Sequence, residues 1–322
     1  MSILVVGSVA FDTIETPHGR MEKIVGGAAT YFALAASYFT DVRVIAVVGE
    51  DFSAENEAVL TRRGVDTRGI EHTSGLSFHW TGSYLKNLNE AQTLRTDLNV
   101  FETFTPKIPE AYQDSEFLFL ANIDPLLQGN VRRQMPGVRM VCGDTMNYWI
   151  KDHSANLAEV LKTLDCLLIN DTEARMLGGS ENLLRAATQV IASGPKTLIV
   201  KHGEYGATAF FSERSFGGGT GGAGGGAMAE GKSVSLPFRA PALPLAEVVD
   251  PTGAGDSFAG GFFGYLASQP AITPAAFKCA MFHGGVMGSF AVERFGTDRL
   301  QQLDRREIDQ RFALLRELSH LG

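Results

Sequence analysis

Cysteine is scarce in this chain. Its three cysteines, Cys142, Cys166 and Cys279, are odd in number, far apart and free of CxxC pairs. That excludes a disulfide framework and the common zinc modules, and agrees with a reducing cytoplasm. Basic charge is also in deficit. Against 36 Asp and Glu stand 28 Lys and Arg, a net charge of −8, so the overall field repels nucleic acid and anionic membranes, and neither is expected as a partner. No apolar run nears the ~18 residues of a membrane span. The apolar run at 3–6 is too short for a leader and has no basic segment before it. No period of roughly 20–50 residues recurs, which excludes a repeat array.

What is present is an ordinary globular composition, 44% hydrophobic and 20% charged in 322 residues, enough for one large α/β domain with a small appendage. Apolar runs at 3–6, 42–48, 117–121, 140–142, 166–169 and 197–201 are strand-length, and helix-like stretches follow several. The alternation predicts a mostly parallel sheet covered by helices, with ligands beyond the carboxyl ends of its strands. Two stretches break it, about 11–24 and 72–101. Both read as hairpins, and together they suggest a small β lid that excludes water once substrate binds, the alternative being plain surface hairpins.

Residues 217–226 read Gly-Gly-Gly-Thr-Gly-Gly-Ala-Gly-Gly-Gly. The segment 216–232 is therefore expected to be a flexible hairpin insertion between strand-like 207–211 and 233–238. Within it, Gly226-Ala-Met-Ala-Glu-Gly231-Lys232-Ser233 spells the GxxxxGK[ST] phosphate-loop pattern. Such a loop must join a buried strand to a helix N-terminus, whereas polyglycine precedes this one and Pro237, Pro241 and Pro244 follow. The match is read as accidental.

The most specific pattern is Asp250-Pro-Thr252-Gly253-Ala254-Gly255-Asp256, followed by the helix-length apolar stretch Ser257-Phe-Ala-Gly-Gly-Phe-Phe-Gly-Tyr-Leu266. Gly253, Ala254 and Gly255 present little side chain, so their backbone N–H groups and the positive end of the helix dipole can converge on a phosphate. Asp256 alone reads as a helix cap. A carboxylate beside a bound anion is costly unless it accepts a proton, and the preceding Gly-Ala-Gly favours that second role.

These residues strongly resemble the signature of the ribokinase-like (PfkB) family of carbohydrate and nucleoside kinases. The resemblance extends to Val25-Gly26-Gly27-Ala-Ala-Thr-Tyr31, Val47-Val-Gly49-Glu-Asp51-Phe and Arg63-Gly64-Val65-Asp66, and so over nearly the whole chain. It implies a Rossmann-like (ribokinase-like) α/β fold, a mostly parallel sheet with helices on both faces and a small β lid, and ATP-dependent phosphoryl transfer to a sugar hydroxyl. A nucleoside or cyclic polyol acceptor is the alternative, and a catalytically silent ligand-binding or regulatory protein the alternative from another class. It also implies that Asp256 is the base and the Gly253–Ala254–Gly255 backbone the anion hole. Asp12, otherwise read as a turn residue, and the pair Gly26 and Gly27 then hold acceptor hydroxyls. Many relatives carry Asn where this chain has Tyr31, so a polar sugar contact is missing there. Tyr31 either lines an aromatic acceptor site or faces the core.

Asn170-Asp-Thr-Glu173 follows a strand-like run. It reads either as a capping arrangement or, by the resemblance, as outer contacts to Mg²⁺ through water. Lys201, Gly203 and Gly206 resemble the family's nucleotide-side loop, though a strand-end lysine is often simply solvated. Asp250 and Thr252, with Val292-Glu-Arg-Phe-Gly296-Thr297, resemble loops that hold a monovalent cation such as K⁺. His79 and Trp80 either cover the acceptor or pack within the lid or a homodimer interface formed through it. Asn122, Asp124 and Asp144 also follow strand-like runs and are expected behind the direct contacts.

Overall fold

The computed structural model describes residues 1–216 and 237–319. The glycine tract and the phosphate-loop match lie outside the described residues. In chain order the strands are β1 (Ser2–Val6), β2 (Ala10–Thr16), β3 (Gly19–Gly26), β4 (Asp41–Val48), β5 (Asp66–His72), β6 (His79–Ser83), β7 (Gln92–Asp97), β8 (Phe117–Leu120), β9 (Met140–Gly143), β10 (Cys166–Asn170), β11 (Thr197–Lys201), β12 (Ala207–Phe211) and β13 (Phe238–Ala240).

Nine of these form the main sheet in the order β13-β12-β11-β10-β9-β8-β1-β4-β5. All its pairings are parallel except β11–β12 and β12–β13. Alternation explains why both faces are covered. Ile3 and Val5, Phe117 and Phe119, and Cys166 and Leu168 enter one buried cluster with helices Ala28–Ala36, Ala254–Ala267 and Pro274–Ala291. Their neighbours Leu4 and Val6, Leu118 and Leu120, and Leu167 and Ile169 enter the other, as period-two geometry requires of a doubly covered sheet. β1 has β4 on one side and β8 on the other. That reversal of strand order opens a crevice at their carboxyl ends.

The two hairpins form one small sheet, β3-β2-β6-β7, in which β2 and β6 pair in parallel. The second starts later than the sequence suggests. His72 ends β5 and pairs with Val48 in the main sheet, while residues 99–103 form a 3₁₀ turn. Strand β5, with the sequence Asp-Thr-Arg-Gly-Ile-Glu-His, escapes the apolar pattern because it is an edge strand with few buried positions. Of the strand expected at 233–238, residues 233–236 lie outside the described residues, and a strand is found at Phe238–Ala240. Among the described residues, no helix is long and apolar enough to cross a membrane.

Candidate active site

Helix Ala254–Ala267 is capped by Gly253 in the left-handed conformation, φ 72°, with no side-chain cap. Asp256 is thus the third helical residue and not the cap. The glycines on this helix seat it backbone to backbone. A Cβ on Gly260 would lie 2.3 Å from the Phe32 carbonyl oxygen, and one on Gly261 would lie 2.6 Å from Met287. Asp250 staples the loop before it, accepting Thr252 N–H at 2.9 Å and Gly296 N–H at 2.8 Å on separate oxygens. Each oxygen keeps a further lone pair, so these bonds leave room for a cation beside Asp250 and Thr252. Of the three amides expected in the anion hole, that of Ala254 donates to Pro251 O at 3.2 Å. Among the described residues, the amides of Gly253 and Gly255 have no such acceptor.

Lys201 ends β11, and its ammonium lies over the start of the helix, 2.9 Å from where a Cβ on Gly255 would stand. A side chain there would displace the lysine, so Gly255 is needed for space. Burial lifts the Asp256 carboxyl from an ordinary 3.8 to about 6, against the opposing pull of Lys201 and of its own backbone N–H. Asp144, which follows β9, is also buried. Its carboxyl is raised well above the usual range by burial and by Asp256, with Lys201 opposing, and its Oδ1 has no hydrogen-bond partner. Glu173 is raised too, first by burial, and Lys201 again opposes. One lysine therefore serves three carboxyls, a local excess of acid suited to a further cation.

Asn170 and Glu173 form a capping box. Asn170 Oδ1 accepts Glu173 N–H and Glu173 Oε2 accepts Asn170 N–H, both at 2.8 Å. The capping alternative is therefore real, and it leaves Asn170 Nδ2 and Glu173 Oε1 outside the box. Such a pair fits outer contacts to hydrated Mg²⁺. Among the described residues, no three His, Cys, Asp or Glu side chains form a metal cage. Gly203, φ 57°, and Gly206, φ 92°, shape the tight turn between β11 and β12, which His202 N–H closes on Gly206 O at 2.7 Å.

On the other side of the crevice, Asp12 lies on β2 opposite Ile24 at a bulge. Its Oδ2 would be 1.9 Å from a Cβ on Gly26, and the backbone of Gly27, φ 95°, hydrogen-bonds its carboxylate. Gly26 is glycine because the carboxylate occupies the space a side chain would take, and Gly27 because a Cβ there would lie 2.5 Å from the Ser8 carbonyl oxygen at a φ of 95°. Burial first, then Asp250, lift the Asp12 carboxyl to about 7. Tyr31 is 1% exposed and presents no open aromatic face. Its ring packs beneath the Gly253 loop, 2.3 Å from where a Cβ on Gly253 would be, and its hydroxyl has no partner among the described residues. Tyr84, which sequence reasoning missed, hydrogen-bonds Thr252 Oγ1 at 3.3 Å across 168 positions. His79 bonds Thr13 at 2.9 Å, and Trp80 lies over Gly82 and bonds Thr93 at 3.2 Å, so both pack within the small sheet.

The pfkB family of carbohydrate kinases matches residues 1–302. The chain belongs to this family. A pfkB kinase of this kind transfers phosphoryl groups to a sugar or nucleoside hydroxyl. Its sequence is 28% identical over 278 residues to a cytidine kinase of Thermococcus kodakarensis, covering 84% of this chain and 90% of that one. Two solved structures share the fold. The fructokinase of Vibrio cholerae with fructose, ADP and calcium has a TM-score of 0.75 at 15% identity, covering 97% of this chain and 98% of that one. The aminoimidazole riboside kinase of Salmonella enterica, with its riboside and an ATP analog, has a TM-score of 0.72 at 19% identity, covering 97% and 100%.

Proposed function

We propose that this pfkB kinase transfers the γ-phosphoryl group of ATP to a hydroxyl of a nucleoside. For the reaction, the supporting observation is the Asp256 carboxyl, pushed to about 6 beside two backbone amides that no acceptor uses. Asp256 takes the acceptor hydroxyl proton, the freed oxygen bonds to the γ-phosphorus, and the bond from that phosphorus to the β–γ bridging oxygen breaks, so ADP leaves with the electron pair. The amides of Gly253 and Gly255 and the ammonium of Lys201 stabilise charge on the transferring group. Asp12 and the glycine pair hold acceptor hydroxyls, and the small sheet closes as a lid. Mg²⁺, held through water by Glu173 and Asn170, would neutralise the polyphosphate.

For the acceptor, the support is the cytidine kinase likeness, which covers most of both chains. The fructokinase likeness keeps a free sugar as the second reading. Incubating the protein with ATP, Mg²⁺ and a panel of nucleosides and free sugars separates them. The expected outcome is a cytidine-class nucleoside with kcat/KM about 100-fold above fructose or ribose. The reverse order favours the sugar, and ligand-induced thermal stabilisation without turnover defeats the kinase assignment.

A further inference from the structure

We infer that Asn122, Tyr148 and Trp149 recognise the base of the acceptor, a reading that rests on the nucleoside assignment above. Asn122 stands two residues beyond β8, and Trp149 lies in the short helix Asn147–Asp152 that follows β9. Both are on the crevice edge. Ala121 closes against the end of β1, its Cβ 2.7 Å from where one on Gly7 would be, and Lys201, at the same end of β11, lies over Gly255. The cluster therefore stands at the same carboxyl edge of the sheet as the start of the Gly7 loop and the Gly255–Asp256 turn.

The indole N–H of Trp149 meets Asn122 Oδ1 at 2.8 Å. An indole nitrogen only donates, so this bond fixes which way the amide faces. Asn122 Nδ2 is turned toward the Met146 sulfur at 3.2 Å, a weak acceptor that leaves a strong donor under-used. Beside it, Tyr148 is 49% exposed. Trp149 meets Tyr148 at 4.8 Å and 66°, and His153 at 4.9 Å and 78°. Those contacts are edge-on, and among the described residues no ring lies parallel to the indole. An exposed aromatic surface next to an aimed amide donor suits a flat heterocycle carrying a ring carbonyl. A free sugar offers no such plane.

The chain has two tryptophans, so Trp80→Phe leaves Trp149 as the single indole. In that variant, cytidine should quench the emission saturably and fructose should not. Trp149→Ala should raise the cytidine KM about ten-fold with the ATP KM unchanged, and Trp149→Phe should restore most of the loss. Asn122→Leu should likewise act on the cytidine KM. If the wild type phosphorylates cytidine while Trp149→Ala melts normally and keeps its KM, or the emission ignores cytidine, the base subsite is wrong and the nucleoside assignment stands. Turnover of free sugars with no turnover of nucleosides overturns both. Should Trp149→Ala not fold, the emission titration and Asn122→Leu still decide.

Discussion

The two sides of the crevice are built by different means. The side proposed for phosphate is mainly backbone: a left-handed glycine, two amides with no acceptor among the described residues, a helix start and one lysine from β11. The side proposed for the acceptor is mainly side chain, set by the register of β2 against β3 and by the Asp12 carboxylate lodged against Gly26. On that proposal, backbone serves where the ligand group is always the same phosphate, and side chains serve where the ligand must be chosen.

Substitutions should therefore separate rate from recognition. The largest effect is expected for Asp256→Asn, which should lower kcat on the order of 10³-fold while calorimetry still detects ATP binding. Near-full turnover would remove Asp256 from the chemistry. Asp12→Ala should raise the acceptor KM about 100-fold with the ATP KM nearly unchanged, and a loss confined to kcat would erase the contrast. Glu173→Gln keeps an oxygen for the capping box, so the melting temperature should hold while the Mg²⁺ concentration for half-maximal rate rises about ten-fold. A lowered melting temperature with no change in Mg²⁺ dependence would leave Glu173 as a cap alone.

The smallest effects concern pH. Asp256 must be ionised to accept a proton, and burial sets its carboxyl at about 6. Because Asp12 stands at about 7, kcat/KM should begin to fall near pH 7 and steepen toward two protons below pH 6, and Asp12→Asn should return a one-proton limb with its midpoint near pH 6. Both carboxyls are raised in the folded state, so the folded chain holds these protons more tightly than the unfolded chain. Their contribution to stability is full below about pH 4 and is lost as pH rises through 6 and then 7. Asp256→Asn and Asp12→Asn should each melt several degrees above wild type at pH 8 and no higher at pH 4, as calorimetric scans can check.

The same contrast governs how much of the site was legible in the sequence. Gly253-Ala254-Gly255 ahead of an apolar helix is a local pattern, and the parallel strands declare themselves as apolar runs. The fit of Asp12 over Gly26 depends on a bulge and on pairing between strands, and Tyr84 meets Thr252 from far along the chain. Neither leaves a local mark. Asn170 and Glu173 were legible as a pair, but spacing alone did not reveal that the capping bonds and the open oxygen coexist. Strand β5 was missed because an edge strand need not be apolar.

The ring of Tyr31 has a consequence for any attempt to redesign this kinase. It belongs to the helix that follows Gly26 and Gly27, yet it is also the floor under Gly253. Trimming it to make room near those glycines would remove the support of the loop proposed to handle the phosphoryl group. On that proposal, selection for a new acceptor at this position acts on turnover in the same step, and variants that change the substrate without slowing the enzyme should arise elsewhere along the crevice.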